Sequence, residues 1–205
     1  MRISIEELKK LRPGDLWMFE LFAPFGFHNS QCNQLGRIMD ASPGKYLVSP
    51  SHRLYKDRDD LLLVRNRQEP RRRYYLDEPG GESALPFSMD VEVMDRRELK
   101  EIPKDGDVAC LDMDRLAFPL MFRRWEHGDS FFPLGMSQMK KLSDFFVDLK
   151  IPVPRKEDTW IMTMGRNIVW VVGLRIDHRF RVTEETTRVL LLRFQPDVGS
   201  QSLEK

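Results

Sequence analysis

Residues 65–73 read Arg-Asn-Arg-Gln-Glu-Pro-Arg-Arg-Arg, five arginines against one glutamate, and Pro79-Gly80-Gly81 lies close behind. Like charges at this density cannot be buried together, and the prolines and glycines interrupt any regular element. The chain must therefore gather its apolar residues on either side of this stretch. That divides it into an N-terminal segment (1–64), a linker (65–84), a domain (85–194) and a frayed polar tail (195–205).

The two sides differ in hydrophobic period. Ser4-Ile5-Glu6-Glu7 has the form of a capping box and predicts a short helix to Leu11, ended by Pro13-Gly14. Asp15 is placed to cap a second helix, whose Leu16, Trp17, Phe19, Leu21 and Phe22 are apolar over more than one face. A third helix is predicted from Asn29 or Ser30 to about Asp40. Strands then take over at 45–49, 52–56 and 61–64, the last two joined by Asp57-Arg58-Asp59-Asp60, a composition suited to a hairpin turn. Beyond the linker, Phe87, Met89, Val91 and Val93 alternate with polar residues as in a half-buried strand. Further strands are predicted at 108–111, 119–125, 160–164, 168–172 and 188–194. One helix stands among them: Leu142, Phe145, Phe146 and Leu149 share a stripe, which puts Lys140, Lys141, Asp144 and Asp148 mainly on its outer side. The fold class is α+β, a short helical N-terminal segment with a β-hairpin followed by a mostly β domain with one amphipathic helix.

Composition excludes more than it selects. Hydrophobic residues make up 41% of the 205, with 13 Phe and 4 Trp, so packed cores are expected. Charged residues make up 32% but balance to +1, so a nucleic-acid surface must come from the placement of cations rather than their number. No apolar run approaches the roughly 20 residues that span a bilayer. The opening Met-Arg-Ile-Ser-Ile-Glu-Glu lacks the apolar stretch of a secretory signal. Cys32 and Cys110 are far apart in sequence and are expected as two buried free thiols in a reducing, cytoplasmic setting.

No catalytic or metal-binding residue is assigned. His28, His52, His127 and His178 have no histidine three or four positions away and no acidic or cysteine cluster beside them. The remaining chemistry is cationic. Arg123-Arg124 and Lys140-Lys141 stand on either side of a rigid turn through Pro133 and Gly135, and Arg175, Arg179 and Arg181 come after the strand Trp170-Val171-Val172. Phosphate recognition needs only a surface where several such cations converge. Neighbours on one strand point to opposite faces, so without a bulge at most one of Arg123 and Arg124 shares a face with the lysines. The plain alternative is a set of solvated edge charges balanced by Glu126, Asp129 and Asp144.

Arg123-Arg124-Trp125, Gly128-Asp129, Phe131, Pro133-Leu134-Gly135-Met136 and Lys140-Lys141-Leu142-Ser143-Asp144-Phe145-Phe146 together resemble the C-terminal signature of the tRNA(Ile)-lysidine synthase family. Val169-Trp170-Val171-Val172-Gly173-Leu174-Arg175-Ile176-Asp177, continued by Arg179-Phe180, is similar to it as well. Phe25-Gly26-Phe27, Ser30-Gln31, Gly44-Lys45-Tyr46 and Ser49-Pro50-Ser51-His52-Arg53-Leu54 resemble the segment leading out of the family's catalytic and helical part. The resemblance runs from about Ile3 to Phe194. Two departures stand out. Ser137-Gln138 occupies the place where many members carry Lys-Gly. The family's Ser-Gly-Gly-x-Asp-Ser loop is absent; Gly80-Gly81-Glu82-Ser83 comes directly after Pro79, lacks the aspartate and reads as a turn.

The resemblance implies the tRNA-binding part of an ATP-dependent ligase that attaches lysine to the wobble cytidine of isoleucine tRNA. The N-terminal ATP-pyrophosphatase domain is missing from these residues, which are expected to be inactive alone. They would hold no cofactor, ATP and magnesium belonging to the complete enzyme. The implied partners are the acceptor stem of isoleucine tRNA and the catalytic domain, with a homodimer as a further expectation and no membrane. The implied RNA-binding residues are Arg123, Arg124, Lys140, Lys141, Arg175, Arg179 and Arg181, because an A-form stem is read through phosphates, 2′-hydroxyls and shape. The alternative is a non-catalytic RNA-binding or protein-interaction module derived from that domain.

Overall fold

Residues 1–66, 72–79 and 85–195 are described by the computed structural model. Most of the arginine run and the turn expected at Gly80-Gly81-Glu82-Ser83 lie outside them, as does the polar tail beyond Gln195. Contacts divide the chain into two units, one built on the N-terminal residues with Pro152–Lys156, the other on most of the residues after the arginine run.

In the first unit, β1 (Arg2–Ser4) leads into α1 (Ile5–Lys10), α2 (Gly14–Phe22) and α3 (Asn29–Met39). β2 (Tyr46–Val48), β3 (His52–Asp57) and β4 (Asp60–Arg65) then complete a four-stranded antiparallel sheet in the order β1-β4-β3-β2. The β3–β4 turn falls on the expected Asp57-to-Asp60 stretch, with Arg58 taking a left-handed φ of 49°. β1 escapes a reading by period because three residues show no alternation; it is held by backbone pairing, Arg2 opposite Leu62. Ser4 caps α1 by accepting from the Glu7 amide at 3.4 Å, but the Glu7 carboxylate pairs with Lys10 at 2.7 Å, so half of the expected capping box forms. α2 begins after Pro13, and its expected cap, Asp15, is outside the residues whose side chains are described. The apolar excess of α2 splits between two faces. Met18 and Phe22 join Ile5, Leu8, Cys32, Leu35 and Met39 over Leu47, Leu54, Leu61 and Leu63, whereas Leu16, Trp17 and Leu21 remain exposed.

The second unit starts with β5 (Tyr74–Leu76), inside the stretch read as linker. The neighbouring charges hide its pattern, but Leu76 is buried and the strand pairs with β8. Next come β6 (Ser88–Asp95), β7 (Val108–Asp112), β8 (Leu120–Arg124), β9 (Ser130–Phe131) and β10 (Lys140–Lys141). After them stand α4 (Leu142–Asp148), β11 (Trp160–Met164), β12 (Asn167–Val171), β13 (Arg175–Ile176) and β14 (Arg188–Gln195). β13-β12-β11-β8-β5 form one sheet, β6-β14-β7 a second and β9-β10 a small third. All described pairings are antiparallel, and with the helices they make the fold α+β as expected.

Alternation along β11 sets the layers. Trp160 and Met162 face a core with Phe122, Trp170, Leu111, Leu190 and Leu192, which joins the two larger sheets. Ile161, between them, points the other way and meets Ile168, Val171 and the apolar stripe of α4. Leu142, Phe145 and Phe146 are buried there, worth about 1.5–3 kcal/mol each. Leu149 does not continue that stripe. The helix ends before it, Lys150 turns the chain at φ 55°, and Ile151 fills the place while Leu149 stays exposed. Cys32 and Cys110 are buried free thiols, and burial pushes Cys110 up to about 11.

Candidate nucleic-acid interface

The site is assembled along the stretch from β8 to α4. After Arg124 the chain turns through Glu126–Asp129, with Gly128 at φ +99°, then runs as β9 and turns again with Gly135 at φ +88°. Both angles are left-handed, so glycine fits without strain. β10 returns beside β9, with Lys140 opposite Phe131 and Lys141 opposite Ser130. The two lysines therefore stand on a short strand leading into α4, not on its outer face. Lys141 occupies the N-cap position.

The other edge of the same stretch meets the second basic group. Pro133 bridges Asp177, the Leu134 amide donates to the Ile176 carbonyl at 3.1 Å, and the His178 amide donates to the Phe132 carbonyl at 2.6 Å. Gly135 donates its amide to His178 Nδ1 at 3.1 Å, and the Phe132 amide donates to Asp177 Oδ2 at 3.0 Å. Lys140 and Lys141 thus line one side of this stretch at Phe131 and Ser130, and the Ile176–His178 segment lines the other side from Phe132 to Gly135. The sequence could not show that both segments border the same stretch.

Their side chains fall into distinct states. Arg123 grips Asp129 with both terminal nitrogens, at 2.9 and 2.8 Å, and only 17% and 14% of the two side chains are exposed. Those hydrogen bonds hold the guanidinium still more firmly charged than an ordinary arginine. Asp129 also accepts from the Glu126 amide at 2.6 Å, so Arg123 locks the turn. Arg124, on the opposite face as alternation requires, lies 4.2 Å over the Trp160 ring and bonds the Asp158 carbonyl. Lys140 pairs with Asp148. Arg179 forks onto fully buried Asp177 at 2.9 Å through both Nε and Nη2, which raises its pKa, and covers the Phe132 ring at 4.7 Å. Arg181 donates to the His178 carbonyl at 2.8 Å.

Lys141 and Arg175 are exposed, and neither forms an ion pair among the described residues. Arg166 is in the same state on the Gly165-Arg166 turn between β11 and β12; sequence reasoning passed over it, although a two-residue turn between two strands was the available signal. The turn that joins β9 to β10 shows Leu134, Met136 and Met139 to solvent. Chemically the surface offers free point charges, arginines fixed as part of the frame, and an uncharged apolar tip. Among the described residues no three His, Cys, Asp or Glu side chains group as metal ligands, and no helix is long and apolar enough to cross a membrane.

Comparison with known proteins matches both units. Residues 1–66 fit the family model described as "TilS substrate binding domain", and residues 120–192 the one described as "TilS substrate C-terminal domain". The chain is 38% identical over 193 residues to a tRNA(Ile)-lysidine synthase of Parabacteroides distasonis, covering 94% of this chain and 44% of that one. A tRNA(Ile)-lysidine synthase of Bacteroides thetaiotaomicron is 34% identical over 194 residues, covering 93% and 42%. The solved structure titled "Crystal structure of TILS C-terminal domain" aligns with a TM-score of 0.49 at 23% identity, over 60% of this chain and 97% of that one. The chain spans less than half the length of the curated relatives it matches.

Proposed function

We propose that this chain, which belongs to the TilS family, is the tRNA-binding part of a tRNA(Ile)-lysidine synthase, the ligase that uses ATP to attach lysine to the wobble cytidine of an isoleucine tRNA. The observation that carries the proposal is that one of the two matched substrate models, residues 120–192, contains all seven candidate cations. The free cations, Lys141 and Arg175, contact phosphates of the acceptor stem. Arg123, Arg124, Lys140, Arg179 and Arg181 hold the frame that presents them. An A-form stem hides its base edges in a deep groove, so phosphate and sugar contacts from a fixed frame suit it. Such contacts position the RNA without reading its sequence.

The chemical step belongs to residues outside this chain. Adenylation of the cytidine needs a cradle for pyrophosphate, and Gly80-Gly81-Glu82-Ser83 lacks the aspartate of the Ser-Gly-Gly-x-Asp-Ser loop. ATP and its magnesium are accordingly assigned to the catalytic part, which docks on the exposed Leu16, Trp17 and Leu21 of α2; without it that face supports a homodimer. Two free buried thiols fit a cytoplasmic setting.

The test is the affinity of the full chain for unmodified isoleucine tRNA across a salt series. Contact with three or four phosphates gives a log–log slope of about −3. Charge reversal at Lys141 and Arg175 should flatten that slope with folding intact, as both side chains are exposed. Binding that ignores salt, or a slope unchanged in the double variant, would refute the assignment.

A further inference from the structure

We propose that the apolar tip formed by Leu134, Met136 and Met139 packs on the faces of unpaired bases that continue from the end of the bound RNA stem. The inference rests on the tRNA-binding reading and names the part of the RNA this turn meets.

The tip is unusual for its setting. From Phe131 to Met139 the sequence is Phe-Phe-Pro-Leu-Gly-Met-Ser-Gln-Met, nine residues without a charge in a chain that is 32% charged. Leu134, Met136 and Met139 are 37%, 41% and 64% exposed. Their exposure is not that of a loose loop. The Met136 amide donates to the Pro133 carbonyl at 2.8 Å, Leu134 and Gly135 are bonded to the Ile176–His178 segment, and Pro133 is buried. Ser130 Oγ donates to Met139 Sδ at 3.4 Å, fixing the last of the three. These bonds fix the turn while the three side chains remain exposed.

The flanking charges narrow what can sit there. Lys141, opposite Ser130 at the base of this hairpin, and Arg175, next to the Ile176 that bonds Leu134, are exposed and form no ion pair among the described residues. Asp129, Asp148 and the buried Asp177 are engaged by Arg123, Lys140 and Arg179. A polyanion is drawn to the flanks, yet the tip has no charged donor for a phosphate. The part of a nucleic acid that suits it is the flat face of a base, which packs well on polarizable thioethers and aliphatic carbon. Inside a stem, base faces are stacked on one another and out of reach. They are offered only where the chain is single-stranded. The ligand is therefore a short unpaired stretch joined to the stem whose phosphates meet Lys141 and Arg175.

The experiment compares unmodified isoleucine tRNA with the same RNA trimmed of its unpaired 3′ nucleotides. Both are titrated with the full chain and with the Met136→Ser/Met139→Ser variant, whose changes fall on exposed side chains. Packing of one base on a thioether is worth about a twofold to tenfold change in affinity. The original chain should bind the trimmed RNA at least about twofold more weakly than the intact RNA. The variant should bind intact tRNA more weakly by a similar factor, lose the difference between the two RNAs and keep the salt slope of the original chain. A Lys141→Glu control should do the reverse, flattening the slope and keeping the sensitivity to trimming. Salt-dependent binding indifferent to trimming would overturn the inference alone, as would a variant that stays fully sensitive to it. Absence of any tRNA binding would overturn the tRNA-binding reading and the inference with it.

Discussion

Removing the carboxylate of Asp129 should destabilise the second unit by about 3 kcal/mol, a size set by the burial of the pair. Exposed ion pairs contribute about 0.2–1 kcal/mol. Breaking a buried pair by deleting one partner costs about 3–5 kcal/mol, because a charge is left without compensation. With 17% and 14% of the side chains exposed, Arg123 and Asp129 stand closer to the second case. Asp129→Ala removes two charge-assisted hydrogen bonds at 2.8 and 2.9 Å and orphans the Glu126 amide. Urea unfolding monitored by tryptophan fluorescence is the assay, since Trp125, Trp160 and Trp170 lie in this unit and Trp17 in the other. For a urea slope of about 2 kcal/mol/M, the midpoint should fall by about 1.5 M. The double variant Arg123→Met/Asp129→Ala should recover at least about 1 kcal/mol, because it removes the stranded charge as well. A loss under about 0.5 kcal/mol for Asp129→Ala would show a solvated surface contact. Arg123 would then be available to phosphate, and Arg123→Met should flatten the salt slope of tRNA binding instead of lowering stability.

Three other outcomes are expected. The chain incubated with ATP, lysine and unmodified isoleucine tRNA should form no lysidine, and incorporation of labelled lysine above blank would contradict the assignment of chemistry to residues outside it. Asp114 accepts hydrogen bonds from the Thr187 hydroxyl and amide, which hold its pKa down at about 2. A depressed carboxylate adds stability above its unfolded pKa of about 4 that is lost as pH falls toward 2; acid unfolding of Asp114→Asn should therefore be flatter across that window, and coincident curves would argue against the effect. The exposed Leu16, Trp17 and Leu21 of α2 should make the full chain self-associate; Leu16→Ser/Leu21→Ser should restore a monomer by light scattering, and a monomeric original chain would show that this face needs no partner.

Long periodic segments were legible from the sequence because burial imposes their pattern. β11 falls on the predicted 160–164, α3 within a residue or two of its expected span, and α4 on the stripe of Leu142, Phe145 and Phe146. The strands that escaped are β1, β5, β9, β10 and β13, two or three residues each, too short to show a period and held by backbone pairing instead. Yet β9 and β10 are what set Lys140 and Lys141 off the helix face. Whether a basic residue is free depends on a contest for carboxylates, which spacing decides only in part. Arg123, Lys140 and Arg179 each found an aspartate within eight positions, at Asp129, Asp148 and Asp177. Arg124 took its ion pair from Asp158, which no neighbouring sequence points to. Asp177 is two positions from both Arg175 and Arg179, so the sequence assigns it to neither. The tight helical turn His178–Phe180 settles the contest: Asp177 accepts the Arg179 amide at its start, and the guanidinium folds back onto the same carboxylate. Arg175 lies on the strand before that turn and is left facing solvent. A single turn of chain thus decides which of two equivalent arginines is part of the frame and which is offered to a ligand.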